Sequence, residues 1–288
     1  MTEVSGRHRL RHYGQMDVLA RRQLRVWALN NVAHCEALTS SARERGSESH
    51  PVAGGWLVLS GAGMYVNRAM AIGLDHGLSA SDIDQVVRLS RASGVNPTVE
   101  VSPETLKDTL SVLKANGFAH VLEADVTALA KWAVDPPITA PEDVLVRPAL
   151  TKADLLLWQE TSAAGWGHAS VNARRAADAW AIAANKADDS LLLAFDASDG
   201  RPLGCASSTI RDGVATLGGM STVPVERRRG VQAALLRYRI DLATRHGCDL
   251  IATTASSGGA SERNLRRHGF VPQFAIQTYA QVPIQREC

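Results

Sequence analysis

Thr222-Val223-Pro224-Val225-Glu226-Arg227-Arg228-Arg229-Gly230-Val231-Gln232 joins an apolar run, Val214 to Val223, to an amphipathic segment. Three cations and a glycine stand where a helix begins. A helix N-terminus carries unpaired N–H groups and the positive end of a dipole. Glycine, without a side chain, lets the backbone approach a ligand closely. Together they predict a cradle for a pyrophosphate. The helix behind the cradle is well specified. Val231, Leu235, Tyr238 and Leu242 share one face, while Arg237, Asp241 and Arg245 lie on another. His246-Gly247 supply its C-terminal stop.

Outward from this segment, alternation and turn signals predict a run of strands and helices. Val144 to Arg147 reads as a short strand, and Lys152 to Gln159 and Val171 to Ala184 read as helices. Leu191 to Phe195, Leu203 to Ile210 and Val214 to Val223 read as strands parted by Asp/Gly turns. Leu250 to Thr253 is a buried strand, Ser261 to Arg267 a helix, and Phe270 with Phe274 to Tyr279 the last strands. Asp135-Pro136-Pro137-Ile138-Thr139-Ala140-Pro141-Glu142 is a linker, since proline lacks a donor and restricts its predecessor. The polar stretch from Ser40 to His50 reads as a loop.

The first half repeats part of this order. Ser81-Asp82-Ile83-Asp84 caps a helix that ends at Gly94, and Thr98 to Val101 follows as a strand. Ser102-Pro103-Glu104 opens a second helix, closed by Gly117-Phe118, with Val121 to Val126 as the next strand. Gly94 to Gly117 and Gly247 to Gly269 are almost equally spaced, and both segments read glycine, strand, helix, Gly-Phe, strand. That points to an internal duplication.

With 288 residues and 45% hydrophobic composition, the chain can bury one large core or two ordinary ones. A net charge of +2 lacks the basic excess of a nucleic-acid protein. Cys35, Cys205, Cys248 and Cys288 form no CxxC pair, which argues against structural zinc and a disulfide framework and for small core residues or, for Cys288, a tail thiol. No apolar run approaches the roughly 18–20 residues of a membrane span. The N-terminal residues have no apolar core of the signal-peptide kind. A reducing, cytoplasmic setting without metal, membrane or nucleic-acid partner is expected.

A Walker loop and a GxGxxG fingerprint are both absent. The arrangement strand, Thr222-Val223-Pro224, Arg227 to Gln232, helix, strand, and Asn264 to Gly269-Phe270 resembles the acetyl-CoA signature of the GNAT acyltransferase superfamily. The resemblance covers about Val144 to Ala280, and the first half resembles a degenerate copy. It implies an α/β (α+β) fold of two tandem GNAT-like domains. Each is a mixed, largely antiparallel sheet with a splayed central strand pair flanked by helices. A degenerate domain would span residues 1–134, the linker 135–142 and a catalytic domain 143–288. The resemblance also implies that the backbone of Met220, Ser221 and Thr222 pairs with the pantetheine arm of acetyl-CoA. The residues of the pyrophosphate site would be Arg227, Arg228, Arg229, Gly230, Val231, Gln232 and Ala233. Asn264 would either bond the pantetheine or lie on the helix surface.

Two positions depart from the signature. Gln232 stands where the family prefers Gly or Ala, and Leu265 stands where many members place a tyrosine acid. The first copy presents Asp82 and Asp84 at its helix start, which would repel a pyrophosphate, so one active site per chain is expected. Acetyl transfer needs a neutral amine, a donor for the developing oxyanion and a stabilised leaving thiolate. The strand before the loop carries no acid to act as base. Glu160, Trp166 and His168 belong to the segment that covers the acceptor pocket in relatives. Each is a candidate there (His168 for its intrinsic pKa), or else a solvated helix end, a core tryptophan and a loop histidine. Glu100 and Glu123 would lie on strands, facing an inter-domain cleft or exposed at the sheet edge. Tyr279 is a candidate acid or a packing residue. The expected activity is acetyl-CoA-dependent N-acetylation of a primary amine on a small molecule by a monomer or homodimer. The alternatives are a protein or peptide acceptor, or a non-catalytic acyl-CoA-binding module.

Overall fold

The computed structural model describes residues 4–41, 46–62, 64–103, 105, 109–132, 138–167, 181, 183 and 190–282. Among the described residues the strands form a single mixed sheet of twelve. In the first half a long helix α1 (Val4–Ser41) precedes β1 (Ser47–Val52), β2 (Gly55–Ser60) and β3 (Arg68–Met70), followed by α2 (Ala80–Ala92), β4 (Thr98–Val101), α3 (Thr109–Ala115), β5 (Phe118–His120) and β6 (Val126–Trp132). In the second, β7 (Val144–Pro148) and α4 (Lys152–Trp166) precede β8 (Ser190–Asp196), β9 (Pro202–Arg211) and β10 (Val214–Thr222). Then come α5 (Val231–Arg245), β11 (Leu250–Ser256), α6 (Ala260–Arg267) and β12 (Val271–Gln281).

The two halves follow one plan. Antiparallel hairpins, β1-β2-β3 and β8-β9-β10, each end in a strand whose next neighbour, β4 or β11, runs parallel to it. Parallel neighbours need a crossover rather than a tight turn, and α2 and α5 provide it. The spaced glycines serve this plan: Gly94, Gly117, Gly247 and Gly269 all have positive φ, each just past a helix end. Phe118 and Phe270, which follow the second glycine of each pair, are both buried.

The halves exchange their returning strands. β6, from the first half, lies antiparallel to β11 over seven positions, from Leu250↔Trp132 to Ser256↔Val126. β12, from the second half, pairs with β6 through Val271 to Ile276, then with β4 and β5 through Gln277 to Gln281. α1 lies across both halves. Leu24, Ala28, Val32 and Cys35 pack on Val58, Met70, Ala128 and Ile276, and Val26 packs with Ala130, Val214, Leu250 and Ala252. On the opposite face, α5 and α6 cover β6, β10 and β11 with Leu236, Ile240, Ala243 and Leu265 against Leu129, Leu217 and Ile251.

Several expectations are corrected. Ser40 and Ser41 belong to α1, and Ser47 to His50 are strand, so the polar stretch is no single loop. The cap of α2 is Ser79, whose side chain accepts from the N–H of Asp82 while Asp82 returns the bond to the Ser79 N–H. The described turns of α3 begin at Thr109; Glu104 lies outside the described residues. Leu122–Ala124 is a 3-10 turn between β5 and β6, which places Glu123 on a turn rather than a strand. Glu100 is neither at a cleft nor exposed. It is buried on β4 and paired with Arg68 at 3.1 Å, and burial pushes its carboxyl pKa up. Residues 171–180, the larger part of an expected helix, lie outside the described residues. Cys35, Cys205 and Cys248 are buried and free, as small core residues are.

Candidate functional site

The central parallel pair opens into a fork. β10 and β11 pair at four positions, Val214↔Leu250 to Leu217↔Thr253. Beyond them, β10 stays with β9 through Ser221↔Cys205 and Thr222↔Gly204, while Thr254 to Ser256 of β11 pair with β6. The cause is a bulge: between Gly218↔Ser207 and Ser221↔Cys205, Gly219 and Met220 oppose Ala206 alone. Gly219 takes a φ of +55° there. Side chains close off the interrupted ladder. Thr253 Oγ1 donates to Leu217 O at 2.9 Å, and Trp158 Nε1 of α4 donates to Ala206 O at 3.1 Å. The hydroxyl of Thr222, on the open edge of β10, is buried and has no hydrogen-bond partner among the described residues.

The fork leads directly into the arginine loop. Pro224–Glu226 form one 3-10 turn, Arg228 adopts a φ of +68°, and Gly230, at the N-cap of α5, has a φ of +75° with no side-chain cap. A Cβ on Gly230 would lie 2.8 Å from Pro141 Cγ, so the expected linker backs the loop. Among the described residues the N–H groups of Arg228 to Ala233 have no backbone partner. The equivalent end of α2 is closed by the Ser79–Asp82 box, with Asp82 bonded to the N–H of Ser79 at 2.9 Å. One helix start is therefore open to an anion and the other is sealed by a carboxylate.

The three arginines do different things. Arg229 turns into the protein and bonds Glu226 at 2.7 Å, Asp196 at 2.8 Å and Asp143 at 3.3 Å. Arg201 joins the same group, 2.6 Å from Glu226 and 3.1 Å from Asp196. Ser198, through its hydroxyl and its N–H, and then Arg229 and Arg201 hold the Asp196 carboxyl well below the usual carboxylate range. The hydrogen bonds that Arg229 donates to Glu226 and Asp196 raise its pKa. Arg229 is thus a brace, its charge spent on carboxylates. Arg227 donates to Gly165 O at 3.3 Å, and Arg228 is exposed. Among the described residues neither has an ion-pair partner.

α4 crosses this region from the other face. Ser221 Oγ donates to Ser162 O at 3.2 Å, and Gly165 lies so close to β10 that a Cβ there would meet Ser221 Oγ at 1.7 Å and Thr222 N at 3.0 Å. Met220, Ser221 and Thr222 therefore line the fork, and Val231 and Ala233 follow the loop on the buried side of α5. Gln232 accepts from Asn264 Nδ2 at 2.6 Å, which ties α6 to the loop helix. Glu160 is exposed on α4, and Trp166, the last residue of that helix, is 66% exposed rather than packed in a core. His168 lies outside the described residues. Tyr279 is buried in the first-half core with Val99, Leu113 and Phe118, its ring stacked on His120 at 5.2 Å. Of the described candidates, Glu160 lies on α4 and Tyr279 on β12.

Sequence reasoning missed four features. Trp158 looks like an ordinary helix position, and Gly165 lies beyond the expected end of the helix at Gln159, although the helix runs on to Trp166; only their contacts with β9 and β10 give them meaning. Arg239 carried a visible signal, because it interrupts the buried stripe Leu235, Leu236, Ile240 and Ala243 of α5. A shallow apolar recess beside the fork, lined by Gln23, Leu24, Trp27, Thr216, Thr253 and Phe274, depends on α1. Among the described residues no helix is long and apolar enough to cross a membrane, and no group of three His, Cys, Asp or Glu could hold a metal ion.

Residues 154–270 match the model of the Acetyltransferase (GNAT) family. No curated protein matches the sequence. The fold is similar to that of a GCN5-related N-acetyltransferase from Kribbella flavida, with a TM-score of 0.62 and 20% identity over 87% of this chain and 95% of that one. It is also similar to a tandem GNAT protein from the clavulanic acid biosynthesis pathway, with a TM-score of 0.53 and 14% identity over 71% and 69% of the two chains. A GCN5-related N-acetyltransferase from Sphaerobacter thermophilus has a TM-score of 0.51 and 19% identity over 65% of this chain and 59% of that one.

Proposed function

We propose that this chain, whose residues 154–270 match the model of the Acetyltransferase (GNAT) family, transfers an acetyl group from acetyl-CoA to the primary amine of a small molecule by direct attack in a ternary complex. The observation that carries this reading is the continuity of the fork with the uncapped start of α5. A pantetheine arm is a chain of amides and needs backbone partners, which the open edge of Met220, Ser221 and Thr222 offers. A pyrophosphate needs convergent N–H groups and positive charge, which Arg228 to Ala233 and the side chains of Arg227 and Arg228 offer. The orphaned Thr222 hydroxyl lies between the two and fits a polar ligand.

When bound, acetyl-CoA supplies an activated thioester: the amine nitrogen bonds its carbonyl carbon, the carbon–sulfur bond breaks, and CoA leaves as a thiolate while the amine loses a proton. The N–H groups of the unpaired β10 edge are the donors for charge developing on the carbonyl oxygen. β10 offers no carboxylate, so the amine proton passes to water or to a group on the α4 side, where Glu160 is the described candidate; His168 is the second candidate by sequence alone. We place the enzyme in the cytoplasm, as a monomer or homodimer. A non-catalytic acyl-CoA-binding role is the second reading. It is favoured by Leu265, buried where a tyrosine acid is expected.

The test is acetyl-CoA binding by calorimetry, together with thiol release in the presence of an amine library. Turnover with any amine supports the enzyme, saturable binding without turnover supports the binding module, and no binding rejects both. Gly230→Val should lower acetyl-CoA affinity at least about tenfold, since its φ of +75° and the contact with Pro141 leave no room for a branched side chain. Unchanged affinity in this variant would reject the loop as the pyrophosphate site.

A further inference from the structure

Arg239 is 1% exposed, yet no carboxylate among the described residues pairs with it. Its guanidinium is held by neutral groups alone. Nη1 donates to Ser207 O at 3.2 Å and Gly218 O at 3.3 Å, Nε donates to Leu235 O at 3.2 Å, and Nη2 lies 3.1 Å from Met220 Sδ. Ser207 and Gly218 are the last register pair before the bulge, and Met220 is in the bulge itself. Burial pushes the arginine pKa down to about 9, which leaves it cationic at neutral pH. A leucine or methionine would fill the same stripe of α5 without the cost of burying an unpaired charge. The cation therefore stands against the strand edge that opens into the fork, and no carboxylate of the described fold neutralises it.

Resting on the acetyl-CoA reading of the fork, we propose that Arg239 is a positioning residue of the donor slot: it holds the β10 bulge open through Ser207 O and Gly218 O and places an unpaired cation behind the strand edge where the thiolate of CoA departs. The fork geometry explains the first part. Two residues oppose one in the bulge, the ladder bonds there are interrupted, and the planar guanidinium replaces them on one face as Trp158 does on the other. Electrostatics explains the second part. In a low-dielectric site a nearby cation favours the ionised form of a thiol. It also polarises the Gly218–Gly219 peptide, whose carbonyl it grips, making the Gly219 N–H a stronger donor. Leu265 offers no proton to the leaving sulfur, so a fixed positive charge takes over part of that task.

The probe is free CoA bound to the whole chain. Its thiol is titrated by the ultraviolet absorbance of the thiolate, alongside calorimetric affinity and circular dichroism of each variant. The wild type should hold the bound thiol about one pH unit or more below that of free CoA. R239M should return it to the free value. R239K, which keeps the charge but cannot fork between two carbonyls, should keep part of the shift and bind CoA more weakly. A folded R239M that binds CoA with an unchanged thiol pKa overturns the proposal, as does a wild-type complex without a shift. If R239M does not fold, R239K decides: a folded R239K complex with its thiol at the free value overturns the proposal. Failure of the wild type to bind CoA at all rejects the donor reading itself, a result separate from any comparison among variants.

Discussion

Gly165 shows how little room a single residue leaves at the fork. An added methyl group would lie 3.0 Å from Thr222 N, a backbone atom that cannot rotate away, and 1.7 Å from Ser221 Oγ, which can. Gly165→Ala should therefore push α4 off β10, at a cost of about 1–3 kcal/mol for overpacking. It should also weaken acetyl-CoA binding, because the displaced segment is the open strand edge. Denaturant unfolding and calorimetry on the variant check both effects; wild-type values in both would show that α4 yields freely. Some residues of the site were legible and others were not, for a physical reason. Gly230 and the arginines stand out because a turn before an amphipathic helix is a local pattern. Gly165 stands in a helix, where a lone glycine reads only as a weak helix former. Its purpose depends on a strand far later in the chain.

The start of α5 is exposed to ligand only because other groups hold its loop. Asp196 at the end of β8 and Glu226 in the 3-10 turn are both buried, and Arg229 and Arg201 bridge them. The sign of the pH effect follows from Asp196. Its folded pKa is depressed below the ordinary 3.8, so its contribution is full above about pH 3.8 and is lost as pH falls through the folded value. Asp196→Asn should lower the melting temperature near neutral pH and narrow the gap to wild type on the acid side. Parallel melting curves across the acid range would contradict this account. Most second-half elements could be read from the sequence, because hairpin turns such as Asp212-Gly213 punctuate alternating runs. The helix α1 could not. Its buried face carries Gln23, Asn30, Asn31 and His34 among the apolar residues, which hides the helical period. The 3-10 turn at Leu122–Ala124 was lost inside what looked like a continuous strand, because it lies between apolar Val121 and Val126.

In the whole molecule, each half completes the other's sheet. Thr127 of β6 reaches Glu262 of α6 at 3.0 Å, and Arg22 of α1 bonds Asp249 before β11 at 2.6 Å, so side chains follow the exchanged strands. Residues 1–134 and 135–288 made as separate chains should each fail to melt cooperatively, and mixing them should restore a stable complex of both. Gel filtration and calorimetry test this; a monomeric fragment 135–288 with a sharp transition of its own would contradict it. The duplication could be read from glycines at matched places. The exchange could not, because a strand's hydrophobic pattern names the faces it buries and not the neighbours it pairs with. The exchange also sets a timetable for synthesis. The first half emerges first, but β4, already beside β3, finds its second neighbour only in Gln277 to Ala280. Until those residues clear the ribosome, β4 and β6 are left with open edges, so this protein should depend on holding factors during translation.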